Sequence, residues 1–282
     1  MAINEVCATN ESTVKNPNGF KQCPETSIRL AVFAKEGFSY DSVEAFKLEE
    51  NTDNAIIAKN IIPSYIVEEN DNANTEDTLQ EGTFTEFVTA KGKRGVTLTF
   101  YTSVCSDEFL NSIKNSEYKR FFSVNAGGDV SCRVVDGKVY GEKIRSLRVN
   151  VREGATPSAV PKTIITIIFD DQFKDVLVPS FDFGSKEGVY DVKFDVVNAS
   201  ATEITFKTLL GCSGTPIKSL ESADVQVVDA SGEALTGVTF TGANAEGVYT
   251  LTGTGFASGF KLQTVGVIAK GNLLEGSETL AI

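Results

Sequence analysis

The sequence predicts a mainly β protein: a β-sandwich or barrel with one flanking α-helix, followed by a second, smaller β-sandwich. Three observations predict this fold class. Short runs rich in β-branched and aromatic residues recur along the chain, bounded by Gly, Asp and Asn. A single segment has clear helical periodicity. Near Gly184 the composition changes, and Gly, Ser, Thr and Ala become frequent beyond that point.

The N-terminal strands are predicted from stretches in which apolar and polar residues alternate. They are "TSIRLAVFA", "TFTEFVTA", "GVTLTFYTSV", "RFFSV", "DVSCRVV", "KIRSLRVNV" and "KTIITIIFD". In "RVVDGKVYGEKIRSLRVNV" the dipeptide Asp136-Gly137 separates two such runs. Because this dipeptide suits two-residue hairpin turns, a β-hairpin is predicted there.

The helix is predicted in "SDEFLNSIKNSEYKR". Ser106 can cap its N-terminus, and Phe109, Leu110 and Ile113 share one face. We expect this face to pack on a sheet. A second segment, "YDSVEAFKLEEN", fits either a short helix or a strand.

A long polar loop is predicted over residues 67–82, "VEENDNANTEDTLQEG". With so few apolar residues, it cannot bury enough surface to order itself. Such a loop in a β domain is often functional, although a solvated excursion is the alternative.

A domain boundary is predicted near Gly184, which gives domains of residues 1–184 and 185–282. Beyond it, six or seven short strands recur at intervals of roughly ten residues, a pattern typical of an immunoglobulin-like β-sandwich. The five cysteines fit no metal or redox spacing and indicate reduced thiols. We expect residues 1 to 180 to contain any determinants of assembly.

Composition excludes several classes of function. The net charge of −12 argues against a protein that grips nucleic acid through its phosphates, although DNA could still pass along its surface. No apolar run is long enough to span a bilayer, so no membrane partner is expected. The N-terminus lacks the charged and apolar regions of a signal peptide, which predicts synthesis in the cytoplasm.

No catalytic residue, cofactor site or metal site is predicted. The chain contains no histidine, the usual general base and a common metal ligand. Asp170 and Asp171 are neighbours on a strand and so point to opposite faces. The spacing of Asn70, Asn72, Asn74 and Glu81 imitates a calcium loop, but the required glycine is missing. We therefore expect a protein that is not an enzyme.

Charge is unevenly distributed, and this predicts a subunit interface. Strand alternation is expected to place Lys143 and Arg145 on one face and Arg148 and Arg152 on the other. The acidic loop would dock on such a basic face of a neighbouring subunit, with help from nearby apolar residues. The loop and its flank contribute Ile61, Ile62, Tyr65, Glu68, Glu69 and Asp71 to this set.

The order of two strands, the helix "SVCSDEFLNSIKN", the segment "RFFSVNAGGDVSCRVVDGKVYGEKIRSLRV" and a separate Ig-like domain resembles the major tail (tail tube) proteins of tailed bacteriophages. The resemblance implies hexameric rings that stack into a tube, a long loop that bridges rings, contacts with other tail proteins, and no catalytic residues. It implies location in the virion tail, after synthesis in the host cytoplasm, and DNA that passes without specific binding.

Two other interpretations stay open. One is a carbohydrate-binding or adhesive β-sandwich protein, whose sugar platform would use Tyr190, Tyr249, Phe256 and Phe260, although core packing is the alternative use of these aromatic residues. The other is a different virion component, such as a capsid or decoration protein.

Overall fold

The computed structural model describes residues 28–65, 68–72, 77–81, 85–90, 94–101, 104–171, 174–186, 188–211, 213–266, 268–269 and 272–282. The chain divides into two units, Met1–Glu187 and Gly188–Ile282. The division lies three residues beyond the boundary that composition predicts at residue 184.

Strands dominate both units, which confirms the predicted mainly β class. The helices are α1 (Val43–Lys47), α2 (Glu49–Ile57) and α3 (Val104–Lys114). The strands of the first unit are β1 (Ile28–Ala34), β2 (Ile61–Tyr65), β3 (Glu68–Asn72), β4 (Asp77–Glu81), β5 (Thr85–Ala90), β6 (Gly95–Tyr101), β7 (Arg120–Asn125), β8 (Val130–Val135), β9 (Lys138–Tyr140), β10 (Glu142–Val149), β11 (Lys162–Phe169) and β12 (Asp175–Leu177).

The sheet of the first unit has two parts that meet at β7. In sheet I, β7 lies between β1 and β8, and β2 and β12 complete the order β2-β1-β7-β8-β12, with β9 beside β8. Sheet II has the order β10-β11-β6-β3. Because β10 pairs with the start of β7 and β8 with its end, the two sheets diverge from that strand.

The core of the first unit lies between the two sheets. It contains Ala31, Phe33, Val96, Leu98, Phe100, Leu110, Ile113, Phe121, Ile144, Ile165, Ile167 and Phe169. These residues come from β1, β7, β6, β10, β11 and α3. The sequence therefore folds into a β-sandwich with a flanking helix, as its strand and helix patterns predict.

The segment that fits either a helix or a strand is helical. Ser42 caps α1, its hydroxyl accepting a hydrogen bond from the Ala45 amide at 3.0 Å. Phe46 is fully buried, and its ring stacks on Phe122 of β7 with centroids 6.4 Å apart. This helical layer thus covers the face of sheet I opposite the core.

Helix α3 begins at Val104, so the prediction that Ser106 is its N-cap is wrong: Ser106 lies inside the first turn. Leu110 and Ile113 are each 2% exposed, while Phe109 is only partly buried. Residues three apart share a helix face, and the sheet covers the face that holds Leu110 and Ile113. Phe109 lies at the border of that face.

The predicted hairpin at Asp136-Gly137 is confirmed. Val135 pairs with Lys138, and the two turn residues have φ angles of 51° and 79°. Positive φ at both positions is the requirement of a type I′ turn, which a glycine meets without steric cost. Local sequence alone is enough to specify this turn.

The predicted long polar loop 67–82 is wrong for two of its segments, because residues 68–72 and 77–81 form β3 and β4. Glu68 pairs with Thr99 and Asn72 with Gly95, so β3 adds to the edge of sheet II. An edge strand gains order from backbone hydrogen bonds to its neighbour and needs few apolar residues of its own. Low hydrophobicity therefore did not prevent strand formation here.

Strands β4 and β5 form a separate two-stranded ribbon, the hairpin arm. Asn72 lies opposite Gly95, and five residues further along both strands Asp77 lies opposite Ala90. The first pair of the arm therefore has the same register as the pairing of β3 with β6. Among the described residues, no third strand pairs with β4 or β5.

The second unit is a two-sheet β-sandwich. Its strands are β13 (Gly188–Ala199), β14 (Glu203–Leu210), β15 (Val225–Val228), β16 (Thr239–Thr241), β17 (Val248–Thr252), β18 (Lys261–Thr264), β19 (Ile268–Ala269), β20 (Asn272–Glu275) and β21 (Ser277–Thr279). One sheet has the order β16-β17-β14-β13-β20-β19 and the other β15-β18-β21. Phe194, Phe206 and Tyr249 are central to the core between them. The immunoglobulin-like assignment stays a prediction.

Candidate functional site

Sheet II has two open edges. All of its pairings are antiparallel, and β10 and β3 are its outermost strands. Within the described part of the chain, the outer side of β3 pairs with no strand, and β10 pairs with β7 only through Glu142 and Lys143. Open edges present unpaired backbone groups that can add a strand from another chain.

The edge formed by β10 is basic, and its charges share one face. A bulge between Ile144 and Ser146 shifts the alternation of side chains along the strand. Ile144 before the bulge and Leu147 after it both contact the core. Lys143, Arg145 and Arg148 are therefore all exposed on the opposite face. The prediction that Arg148 lies on the other face from Lys143 and Arg145 is wrong because alternation was counted without the bulge.

Two of these cations already have acidic partners within the unit. Lys143 Nζ lies 3.8 Å from Glu36, and an Arg145 guanidinium nitrogen lies 3.7 Å from Asp170. Arg148 has no ion-pair partner among the described residues. It is thus the basic residue of this edge that is best placed to meet an acidic group on another molecule.

Other members of the predicted interface lie elsewhere. Arg152 does not belong to β10, because that strand ends at Val149. The Arg152 side chain is partly buried. Ile61 is fully buried because β2 pairs with β1, where Ile61 lies opposite Ala34. It cannot serve as an interface residue, whereas Ile62 is partly exposed. The side chain of Tyr65 lies outside the described residues.

The acidic residues of β3 are Glu68, Glu69 and Asp71. In the backbone register they pair with Thr99, Leu98 and Val96 of β6. The edge strand β3 is therefore acidic in sequence, whereas the edge strand β10 is basic. The hypothesis that these three acids act together at a subunit interface stays a prediction.

The two strands of the hairpin arm pair in an antiparallel register. Leu79 pairs with Phe87, and Gln80 pairs with Glu86. An isolated two-stranded ribbon is marginally stable in water unless it packs against another element.

Sequence reasoning also missed an exposed connection between β10 and β11. Residues 153–160 are all exposed, and Val151 and Val160 are 91% and 59% exposed. Thr156 and Ala159 form a bridge at its end. Tyr101 of β6, opposite Lys162, adds a ring that is 46% exposed. The turn residues Gly154 and Pro157, which lie between two predicted strands, could have indicated this connection.

The described residues include a buried cysteine and an open cleft. No group of three or more Cys, Asp or Glu residues there is arranged to hold a metal ion. Cys132 is fully buried, and its burial raises the pKa of the thiol, which disfavours the reactive thiolate. A cleft of about 460 Å³ between Arg29, the Gly127-Gly128 turn and residues 178–184 contains no histidine or cysteine.

A buried cation fixes the end of the first unit. Lys186 is 3% exposed, and its Nζ lies 2.7 Å from Glu49 and 2.6 Å from Asp53, both on α2. Burial by itself lowers the pKa of Lys186, but the hydrogen bonds and negative charges of Asp53 and Glu49 outweigh this and raise the pKa above its ordinary 10.5. The segment that leads to the second unit is thus held on α2.

This ion pair makes a testable contribution to stability. Folding raises the pKa of Lys186, so its charged form stabilises the fold at every pH below the pKa of the unfolded chain. This stabilisation is lost as pH rises through the pKa of the folded chain. We expect Lys186→Met to lower the free energy of unfolding at neutral pH. The difference from the parent should shrink above about pH 10.5. Urea unfolding of both proteins measures it, and a difference independent of pH would contradict the charged pairing.

Comparison with known proteins assigns no relatives. Neither protein-family models nor curated protein sequences match this chain. Across the described residues, no helix combines the length and apolar character that crossing a membrane requires.

Proposed function

We propose that this chain is a structural virion protein that self-assembles into stacked rings, forming a bacteriophage tail tube through which DNA passes. The observation that carries the proposal is sheet II, an antiparallel sheet with two open edges of unlike charge. One edge strand, β10, has Lys143, Arg145 and Arg148 exposed, and the other, β3, contains Glu68, Glu69 and Asp71.

Unlike charges at the two edges favour pairing of one copy with the next. Charged residues on an edge strand usually prevent edge-to-edge association, and two edges of the same sign would do so by repulsion. Here β10 of one copy would pair with β3 of the next. Because neighbouring strands of sheet II alternate in direction, these two strands would be antiparallel. Such a contact joins two different surfaces of the protein. Successive copies form a closed ring when the rotation from one copy to the next divides a full turn evenly. Six copies per ring is what the tail-tube resemblance implies.

The hairpin arm supplies a means for rings to stack. A two-stranded ribbon is marginally stable by itself, and packing against a neighbouring copy can stabilise it. In tail tube proteins a long loop bridges rings, and we assign that role to the arm. Apolar contact would supply most of the affinity, since exposed ion pairs contribute only about 0.2–1 kcal/mol each.

The remaining parts of the proposal follow from charge and from the resemblance. A net charge of −12 disfavours tight binding of DNA and suits its passage. Location in the virion tail and contacts with other tail proteins are proposed on the resemblance. The carbohydrate-binding alternative loses support, because Tyr249 and Phe256 are 0% and 3% exposed and cannot form a sugar platform.

Sedimentation velocity and negative-stain microscopy of the purified protein test the proposal. We expect rings or tubes in the parent. Glu68→Lys should raise the concentration needed for assembly by about two- to fivefold, the equivalent of losing one exposed pair. Glu68→Lys/Arg148→Glu should recover part of that loss, because the two edges again carry unlike charges.

The matched control is Glu246→Lys, an identical charge change at an exposed residue of the second unit. It should assemble as the parent does. A parent protein that stays monomeric at all accessible concentrations would contradict the proposal. Equal loss of assembly in Glu68→Lys and Glu246→Lys would assign the effect to net charge and contradict the role of the edges.

A further inference from the structure

A buried ion pair lies where the hairpin arm joins the sandwich. Arg94 and Glu142 form this pair, and the Glu142 side chain is 1% exposed against 21% for Arg94. The guanidinium also lies over the ring of Phe169, 4.3 Å from its centroid. Charged residues are rarely buried so completely unless they are paired.

The position of Arg94 connects the pair to the arm. Arg94 immediately precedes β6, the strand through which the chain returns from β5. Its carbonyl oxygen accepts a hydrogen bond from the Phe169 amide at 2.9 Å, one step beyond the pairing of Gly95 with Ile168. The residue therefore lies at the end of the ladder between β6 and β11, where the arm leaves sheet II.

The position of Glu142 connects the pair to the meeting point of the two sheets. Glu142 begins β10 and pairs with Phe121 of β7. Phe121 in turn contacts Phe169, with ring centroids 5.9 Å apart. The ion pair thus ties the base of the arm to the strand from which sheets I and II diverge.

A buried ion pair is a poor source of stability, because desolvation of both charges offsets their attraction. Apolar residues of similar size often replace such pairs without loss of stability. A pair of charges nevertheless requires one particular arrangement, because any other leaves a buried charge unpaired. An ion pair that tolerates only one arrangement can therefore fix the orientation of a segment that projects from the sheet.

We propose that the Arg94-Glu142 pair positions the hairpin arm: it holds the return strand in one place at the junction of the two sheets, so that the arm leaves sheet II in one fixed register. Arg94 and Glu142 are positioning residues, since neither lies on the arm itself. The arm's part in stacking rests on the proposed function, whereas the anchoring of the arm by this pair does not depend on it.

Hydrogen exchange followed by mass spectrometry tests the anchoring in the full chain, at a concentration where sedimentation shows monomers. The variant is Arg94→Met/Glu142→Leu, which replaces both charges together. We expect a melting temperature close to that of the parent and exchange of the amides in residues 77–90 that is at least about tenfold faster. Arg94→Met alone leaves Glu142 buried without its counter-charge and should melt at a markedly lower temperature.

The control variant is Lys35→Met/Glu117→Leu, which removes a more exposed ion pair of the same unit, with 3.0 Å between its charged atoms. It should leave exchange in residues 77–90 unchanged. Parent-like exchange in Arg94→Met/Glu142→Leu, or equal acceleration in both double variants, would overturn the proposal. Accelerated exchange with unimpaired assembly at higher concentration would support the anchoring and contradict the role of the arm in stacking.

Discussion

In a chain that ends at Glu187 the first unit is expected to fold. In a chain that ends at Ser180 the same unit is expected to be unfolded. The segment between these two ends contains Phe183, which is 1% exposed and stacks on Phe46 with centroids 6.3 Å apart. It also contains Lys186, buried between Glu49 and Asp53. Loss of a buried phenylalanine alone costs about 3–5 kcal/mol, against a typical total of about 5–15 kcal/mol.

Thermal unfolding followed by circular dichroism measures the difference between the two truncated chains. Phe183→Ala in the full chain separates the loss of this ring from the loss of the segment, and should lower the free energy of unfolding of the first unit by about 3–5 kcal/mol. Equal stability of the two truncated chains would show that residues 181–186 contribute nothing. The sequence predicts that residues 1 to 180 contain the determinants of assembly, and the first unit of the structure extends to Glu187.

Leu110→Ala is expected to destabilise the first unit by about 2–5 kcal/mol, the range for a leucine removed from a packed core. Leu110 is 2% exposed and belongs to the cluster that α3 shares with both sheets. Phe109→Ala should cost less, because Phe109 is partly exposed. From the sequence alone, Phe109 is expected to pack on the sheet together with Leu110 and Ile113.

Urea unfolding of the two variants and of Glu108→Ala tests this order. Glu108 is exposed on the same helix, next to Phe109, so its substitution should leave the midpoint nearly unchanged. A larger loss for Phe109→Ala than for Leu110→Ala would contradict the orientation of α3. Ser106→Ala is no longer expected to remove a helix cap, because Ser106 lies inside the helix.

Features that depend on neighbouring residues could be predicted from the sequence. The hairpin at Asp136-Gly137 needs two residues that accept positive φ, and both are adjacent in the chain. Strands and the helix α3 follow from periodicity within about ten residues, which is why their existence was predictable and their ends were not. The change of composition near Gly184 marks the division of the chain to within three residues.

The candidate site depends on pairing between distant strands, which periodicity does not report. The bulge in β10 arises from its register with β11 and places Lys143, Arg145 and Arg148 on one face. A one-residue shift in register moves every following side chain to the other face, so the face of a charge cannot be derived from its own strand.

The sequence by itself thus determined the β class, the turn at Asp136-Gly137 and the two-part organisation, because short-range propensities and turn chemistry control them. Only the tertiary structure decided that the polar segment pairs with β6, that Ile61 is buried against β1, and that Glu142 meets Arg94 inside the fold. Each of these depends on contacts between residues far apart in the chain. Backbone hydrogen bonds and burial gained in such contacts outweigh local preference, so the local pattern alone could not reveal them.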